Sequence, residues 1–199
     1  MTYRIAAIAV TALLSLTACT TTPVTNFYTL ADRGPVEQKL RSDLILALGP
    51  IELPQYLDRP QLVTRIDGNR LKVDEFNRWG GSLEEEIARV LAQHIGRSLG
   101  TRHIYSYPSR VVADSDYRLA LDIRGFDGRL GGEVRLEVAW SLIADYSGEI
   151  VHTSQASYRS ETAAAGDYEA YVAALSDTLT QLGEDLAELL AGLPPTTGR

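Results

Sequence analysis

Cysteine is almost missing from this 199-residue chain: Cys19 stands alone, so no intrachain disulfide can form. The fold must hold by packing, even in a compartment that would permit disulfides. Histidine is scarce as well. His94, His103 and His152 share no ligand spacing and no second sulfur is available to help them, so no metal is expected. Basic charge is in deficit, with 19 Lys and Arg against 26 Asp and Glu for a formal net charge of −7. Nucleic-acid binders usually carry a basic stripe that neutralises phosphates, which sets that class aside. The local hydrolase signatures Gly-x-Ser-x-Gly, Ser-x-x-Lys and His-Glu-x-x-His are all absent. A triad dispersed along the chain would escape such a scan, so a hydrolase survives only as the weakest reading. The glycines around Arg129 lack the Lys and Ser/Thr of a phosphate-cradling loop and read as hairpin glycines, so no cofactor is expected. No apolar run reaches the ~18 residues of a membrane-spanning helix.

What is present begins at the N-terminus. Arg4 is a basic n-region, Ile5 to Leu16 an apolar run, and Leu16-Thr17-Ala18-Cys19 follows it. That is a secretory signal, too short to cross a bilayer of ~30 Å. Leu-Thr-Ala-Cys resembles the bacterial lipobox, after which the Cys is lipidated and becomes the first mature residue. Ala18 is small enough for the peptidase to approach, and the Cys19 thiolate is the nucleophile that accepts the lipid. Two plainer readings are a cleaved signal with a chance Cys and a buried core thiol. Removing residues 1–18, which hold Arg4 and no acid, leaves 181 residues and shifts the formal charge from −7 to −8. Such a body is not drawn to anionic lipid by charge, so attachment rests on acyl chains. At ~0.8 kcal/mol per buried methylene, two or three chains make a durable anchor. Residues 19–25 are the lipidated Cys and a polar tether, whose six residues after Cys19 reach about 20–25 Å at ~3.5 Å each.

Asn26 to Leu30 reads as a first strand and the nearly all-apolar Leu44 to Ile51 as a buried central one. Leu62–Ile66 and Arg70–Val73 flank Asp67-Gly68-Asn69 as a hairpin. Ser82-Leu83-Glu84-Glu85 has the form of a capping box, and Leu83, Ile87, Val90, Leu91, Ile95 and Leu99 share one helical face up to Gly100. Ile104 to Tyr107 reads as a short edge strand. Strands alternating at Tyr117–Ile123 and Val134–Leu142 follow, then a third over Glu149–Ser160. A last helix runs from about Asp167 to Ala191, with Tyr171, Leu175, Leu179, Leu182, Leu186 and Leu189 on one stripe. The expected fold is a single α+β domain over 26–193. It has a mainly antiparallel sheet with both helices on one face, and a frayed tail at 194–199.

His94 lies at the edge of the apolar helix face and reads as a packed, hydrogen-bonded histidine. Glu84-Glu85-Glu86 fits capping and the positive end of a helix dipole better than acid–base chemistry. Tyr56, Tyr105, Tyr107, Tyr146, Tyr158 and Tyr168 fall at element ends, where interface contact and half-buried packing are equally good readings. Two loops stand out, 53–63 (Leu-Pro-Gln-Tyr-Leu-Asp-Arg-Pro-Gln-Leu-Val) and 76–83 (Phe-Asn-Arg-Trp-Gly-Gly-Ser-Leu). Their aromatics and arginines suit hot-spot contacts, although Tyr56 and Trp79 could equally plug the end of the core.

Lipobox, Phe27-Tyr28-Thr29-Leu30, the 53–63 segment and Trp79 just before the first helix together resemble the ABC-type transport auxiliary lipoprotein family, the PqiC/YmbA-like group. The likeness covers nearly the whole mature chain, and 53–63 is its most specific part. One departure is Trp79-Gly80-Gly81-Ser82-Leu83 where members often carry Trp-Ala-Glu-Pro-Leu. The resemblance implies a non-enzymatic lipoprotein docking the periplasmic MCE-domain protein of an ABC lipid-transport system to the periplasmic face of the outer membrane. Thr20 after the Cys fits outer-membrane sorting. A homo-oligomeric ring is implied on the same ground. Within the two segments singled out above, Tyr56, Leu57, Arg59, Gln61 and Trp79 are the candidate contacts to the partner protein. The alternative is a periplasmic carrier that holds lipid in its own cavity.

Overall fold

The computed structural model describes residues 23–34, 41–108, 114–162 and 164–193. The signal segment, Cys19 and the tail at 194–199 lie outside the described residues. Ten elements follow in order: β1 (Asn26–Tyr28), β2 (Leu46–Glu52), β3 (Gln61–Arg65), β4 (Leu71–Trp79), α1 (Leu83–Leu99), β5 (Ile104–Ser106), β6 (Tyr117–Gly128), β7 (Glu133–Ala144), β8 (Glu149–Glu161) and α2 (Tyr168–Ala191). The fold is α+β, as expected, but its strands divide between two mixed sheets. A large sheet has the order β5-β2-β6-β7-β8 and a three-stranded end sheet the order β1-β4-β3.

The parallel pairings come from crossovers. After β2 the chain leaves to build β3, β4 and α1, so β5 and β6 return along both flanks of β2 in its own direction. From β6 onward short turns allow only antiparallel neighbours, and β6-β7-β8 is a meander. β3 and β4 form the expected hairpin, with β1 added parallel to β4.

β2 is flanked on both sides and buries Leu46, Ala47, Leu48 and Ile51. On β7, Val134, Leu136, Val138, Trp140 and Leu142 all point into the core. Ile87, Val90, Leu91 and Ile95 of α1 and Tyr171, Leu175, Leu179, Leu182 and Leu186 of α2 meet the same sheet face. No helix among the described residues is long and apolar enough to cross a membrane.

The two helices lie side by side and point the same way. Near their starts, Glu86 accepts the Leu30 N–H and Ser176 the Ala31 N–H. At their ends, the Arg41 N–H donates to Leu99 O, and its guanidinium donates to the carbonyls of Leu190 and Leu193. The end sheet sits by the helix N-termini. The β7–β8 turn lies at the opposite end, because Ala144 pairs with Tyr117, which pairs with Leu46 beside the C-terminus of α1.

Two local expectations need correction. The Ser82 side chain makes no capping bond. Glu86, not Glu85, turns back, because the strand leaving β1 presents the Leu30 N–H to it, and Arg89 pairs with it at 2.7 Å. Phe76 to Trp79 is also strand, not loop. The Asp74 carboxylate accepts from the N–H groups of Phe76 and Asn77, absorbing extra residues in a bulge so that β4 can continue.

Asp167 does cap α2, accepting from the N–H groups of Glu169 and Ala170. Asp167→Ala should therefore cost about 1 kcal/mol in urea unfolding, and Ser82→Ala only a few tenths. Equal losses would contradict this reading of the two helix starts.

Candidate docking surface

The five candidate contact residues all belong to the end sheet or the loop that enters it, but they do different things. Leu57 and Trp79 are 3% and 5% exposed and pack in the core. The Trp79 N–H also donates to Pro60 O, tying the end of β4 to the loop. Tyr56 is half-buried, and its hydroxyl donates to Asp127 Oδ2 at 2.6 Å. Arg59 is exposed, while Gln61 is half-buried and donates to Glu75 at 3.4 Å. Leu57 and Trp79 thus build the platform, Tyr56 braces it, and Arg59 and Gln61 are the groups a partner can reach.

Asp127, which the sequence reading missed, holds this end of the molecule together. It is 7% exposed and accepts from Arg65 Nε at 2.7 Å and Nη2 at 2.8 Å besides Tyr56. Arg65 ends β3, Tyr56 lies in the 53–60 loop and Asp127 belongs to β6, so one carboxylate joins the end sheet to the large sheet. Burial works against its charge, but the hydrogen bonds from Arg65 and Tyr56 outweigh that and hold its carboxyl below the ordinary carboxylate value. The same burial, and the bond to Asp127, push the Tyr56 hydroxyl far above the usual phenol value. A register shift between Ile123 and Gly125 turns Phe126 and Gly128 toward the helix-packed face, opposite Leu136 and Val134, and leaves Asp127 beside Arg135 on the other face, where Tyr56 and Arg65 cover it; only Gly125 hints at the shift in the sequence.

Two further ties flank this one. The buried Tyr171 hydroxyl donates to Val63 O at 2.9 Å and accepts the Gly128 N–H at 3.1 Å. Tyr168 donates to Asp74 at 2.8 Å and lies 6.3 Å from Tyr28, ring to ring. Lys72 completes the group at 3.2 Å from Asp74. Burial opposes the Asp74 charge, yet bonds from Asn77, Tyr168, the Phe76 N–H and Lys72 hold its carboxyl far below the usual range.

Elsewhere, His94 is the packed histidine expected, its Nδ1 2.9 Å from Asp32 Oδ1. An open groove of about 1050 Å³ runs along α1 past Asp32, Glu86, Arg89, Gln93 and Arg97. Two of its arginines are paired, Arg89 with Glu86 and Arg97 with Asp32. This is unlike the enclosed, largely apolar pocket that a lipid chain requires. Among the described residues, no three His, Cys, Asp or Glu side chains come together as a metal site.

The family model for the ABC-type transport auxiliary lipoprotein component matches residues 28–187, which run from the last residue of β1 through β8 and most of α2. The chain belongs to this family. A solved Xanthomonas campestris protein superposes with a TM-score of 0.69 at 19% identity, over 84% of this chain and 97% of its own. An uncharacterized protein gives 0.68 at 18% identity, over 84% and 99%. Both show that the fold is shared. PelC of Paraburkholderia phytofirmans, a dodecamer, is a more distant likeness at 0.45 and 13% identity, over 81% and 94%. No curated protein matches the chain.

Because the Asp127 carboxyl is depressed in the folded state, its contribution is present above the ordinary value of about 4 and is lost as pH falls below it. With Arg65 about one-third exposed to water, Asp127→Asn should cost on the order of 2 kcal/mol at pH 7. The gap between wild type and variant should shrink on acidification, read by urea unfolding at a series of pH values. A gap that stays constant would show that Asp127 is not held as an ionised acceptor.

Proposed function

We propose that this chain is a non-enzymatic, lipid-anchored adaptor that holds the periplasmic MCE-domain protein of an ABC transport system at the periplasmic face of the outer membrane. The carrying observation is where the most family-specific segment, 53–63, lies. It is braced by Tyr56 and Asp127, floored by Leu57 and Trp79, and leaves Arg59 and Gln61 accessible at the β3 edge of the end sheet, the sheet whose other edge strand follows the tether. A rigid platform with a few polar groups and Arg at its surface is suited to binding a preformed partner. Several copies in a ring would surround a tubular partner and multiply a weak contact. Thr20 supports the outer-membrane address, and the net acidic charge favours acyl chains on Cys19 as the means of attachment.

The test is capture of the MCE-domain protein by the full lipidated chain in detergent. Arg59→Glu combined with Gln61→Ala should cut capture about tenfold, or ~1.4 kcal/mol, while thermal unfolding stays unchanged. Undiminished capture by that variant would remove this surface as the contact. Failure of the wild-type chain to capture the protein at all would remove the adaptor role.

A further inference from the structure

We propose that the β1 side of the end sheet lies on the phospholipid surface to which Cys19 is attached, with Val24, Phe27 and Phe76 entering the boundary between headgroups and acyl chains. This rests on the lipid anchor and adds to it a defined orientation of the folded body.

The outer face of the end sheet changes character from one edge to the other. Phe27, Arg78 and Gln61 pair in one cross-strand row over β1, β4 and β3 and so point to the same side. Tyr28 and Trp79, one residue on, point to the other side, where Trp79 joins the core. The β3 edge of the row is polar, and the β1 edge is not. Val24 is 81% exposed, Phe27 68% and Phe76 40%. Phe76 is held outward by the Asp74 bulge, which fixes its backbone. Arg78, between the two phenylalanines and Gln61, is paired with Glu75 at 3.5 Å, so the strip carries no uncompensated acid. Exposed aromatic and aliphatic groups beside an Arg that can lift its head toward phosphate are the composition of an interfacial contact.

The covalent chain identifies the occupant. Only six residues separate Cys19 from Asn26, so with acyl chains in the leaflet the start of β1 stays within about 25 Å of it at ~3.5 Å per residue. Few other surfaces have that constraint. Tyr146, 96% exposed in the β7–β8 turn, stands at the far end of the 12-residue strand β7, about 40 Å away at ~3.4 Å per residue. Two or three apolar side chains would not hold a free protein on a bilayer. Tethering makes their contact intramolecular, so a weak affinity suffices to orient the body.

Acylation leaves an introduced cysteine as the sole free thiol, which allows a depth measurement on the full lipidated chain. Phe27→Cys, Phe76→Cys and, as control, Tyr146→Cys are spin-labelled and reconstituted into vesicles of phosphatidylethanolamine and phosphatidylglycerol. Collision with oxygen and with a water-soluble nickel chelate is then read by power saturation. The oxygen-to-nickel ratio at positions 27 and 76 is expected to exceed that at 146 several-fold, and to persist in high salt, which screens charge but not apolar insertion. Equal ratios at all three positions would overturn the proposal. So would shielding of 27 and 76 from both reagents, which would mean that protein covers the strip. Peptide mass at Cys19 separates the two readings. If Cys19 is acylated and the strip is wet, only this orientation falls; if Cys19 carries no acyl chain, the anchor falls with it.

Discussion

The Asp127 carboxylate sits where the 53–65 stretch of the chain meets the end of β6, and its burial is tolerable only because Tyr56 and Arg65 both donate to it. Without that contact the end sheet would be joined to the large sheet mainly through Tyr171, the Tyr168–Asp74 pair and the packing of Leu57 and Trp79. A three-stranded sheet with a three-residue edge strand is too small to be stable alone, so it depends on what it docks against. Removing one partner of a buried charged group costs more than the pair gains by forming, which makes such a joint cooperative. The platform at 53–63 and the apolar strip on β1 both inherit their rigidity from it.

That rigidity matters because the molecule has two distinct ends. The chain enters at the end sheet, beside the N-termini of both helices. Arg41 binds the two helix C-termini together at the other end, where the β7–β8 turn projects Tyr146. A short tether on one end limits which surfaces meet the membrane, and a stiff body carries that limit through to the far end. The proposed adaptor role needs this property more than it needs any reactive group.

Much of the fold was legible because periodicity reports burial directly. The stripe from Leu83 to Leu99 and the alternation from Val134 to Leu142 are both buried in the structure. The split into two sheets was not legible, since it depends on which strand returns beside β2 after a crossover, a long-range choice without a local pattern. Ser82 illustrates a different failure. A capping box describes a helix start in isolation, whereas here the chain leaving β1 supplies the Leu30 N–H to Glu86. At the candidate site, composition singled out the 53–63 segment but could not separate the accessible Arg59 from Leu57 and Trp79 beneath it. Asp127 was invisible for a similar reason. A register shift at Gly125 places its side chain on the Arg135 side of β6, opposite Phe126, and it is buried only because partners about 60 to 70 residues away in the chain cover it.

Hydrogen exchange on the native protein tests the joint most directly, by comparing end-sheet amides on β3 and β4 with those on β6 and β7. In the wild-type chain the two groups should open together, as one cooperative unit. In Asp127→Ala the end-sheet amides should exchange markedly faster while the paired core of β6 and β7 stays protected. End-sheet protection that is unchanged in the variant, or already lower than the large sheet in the wild type, would contradict the claim that this buried carboxylate makes the two sheets one body.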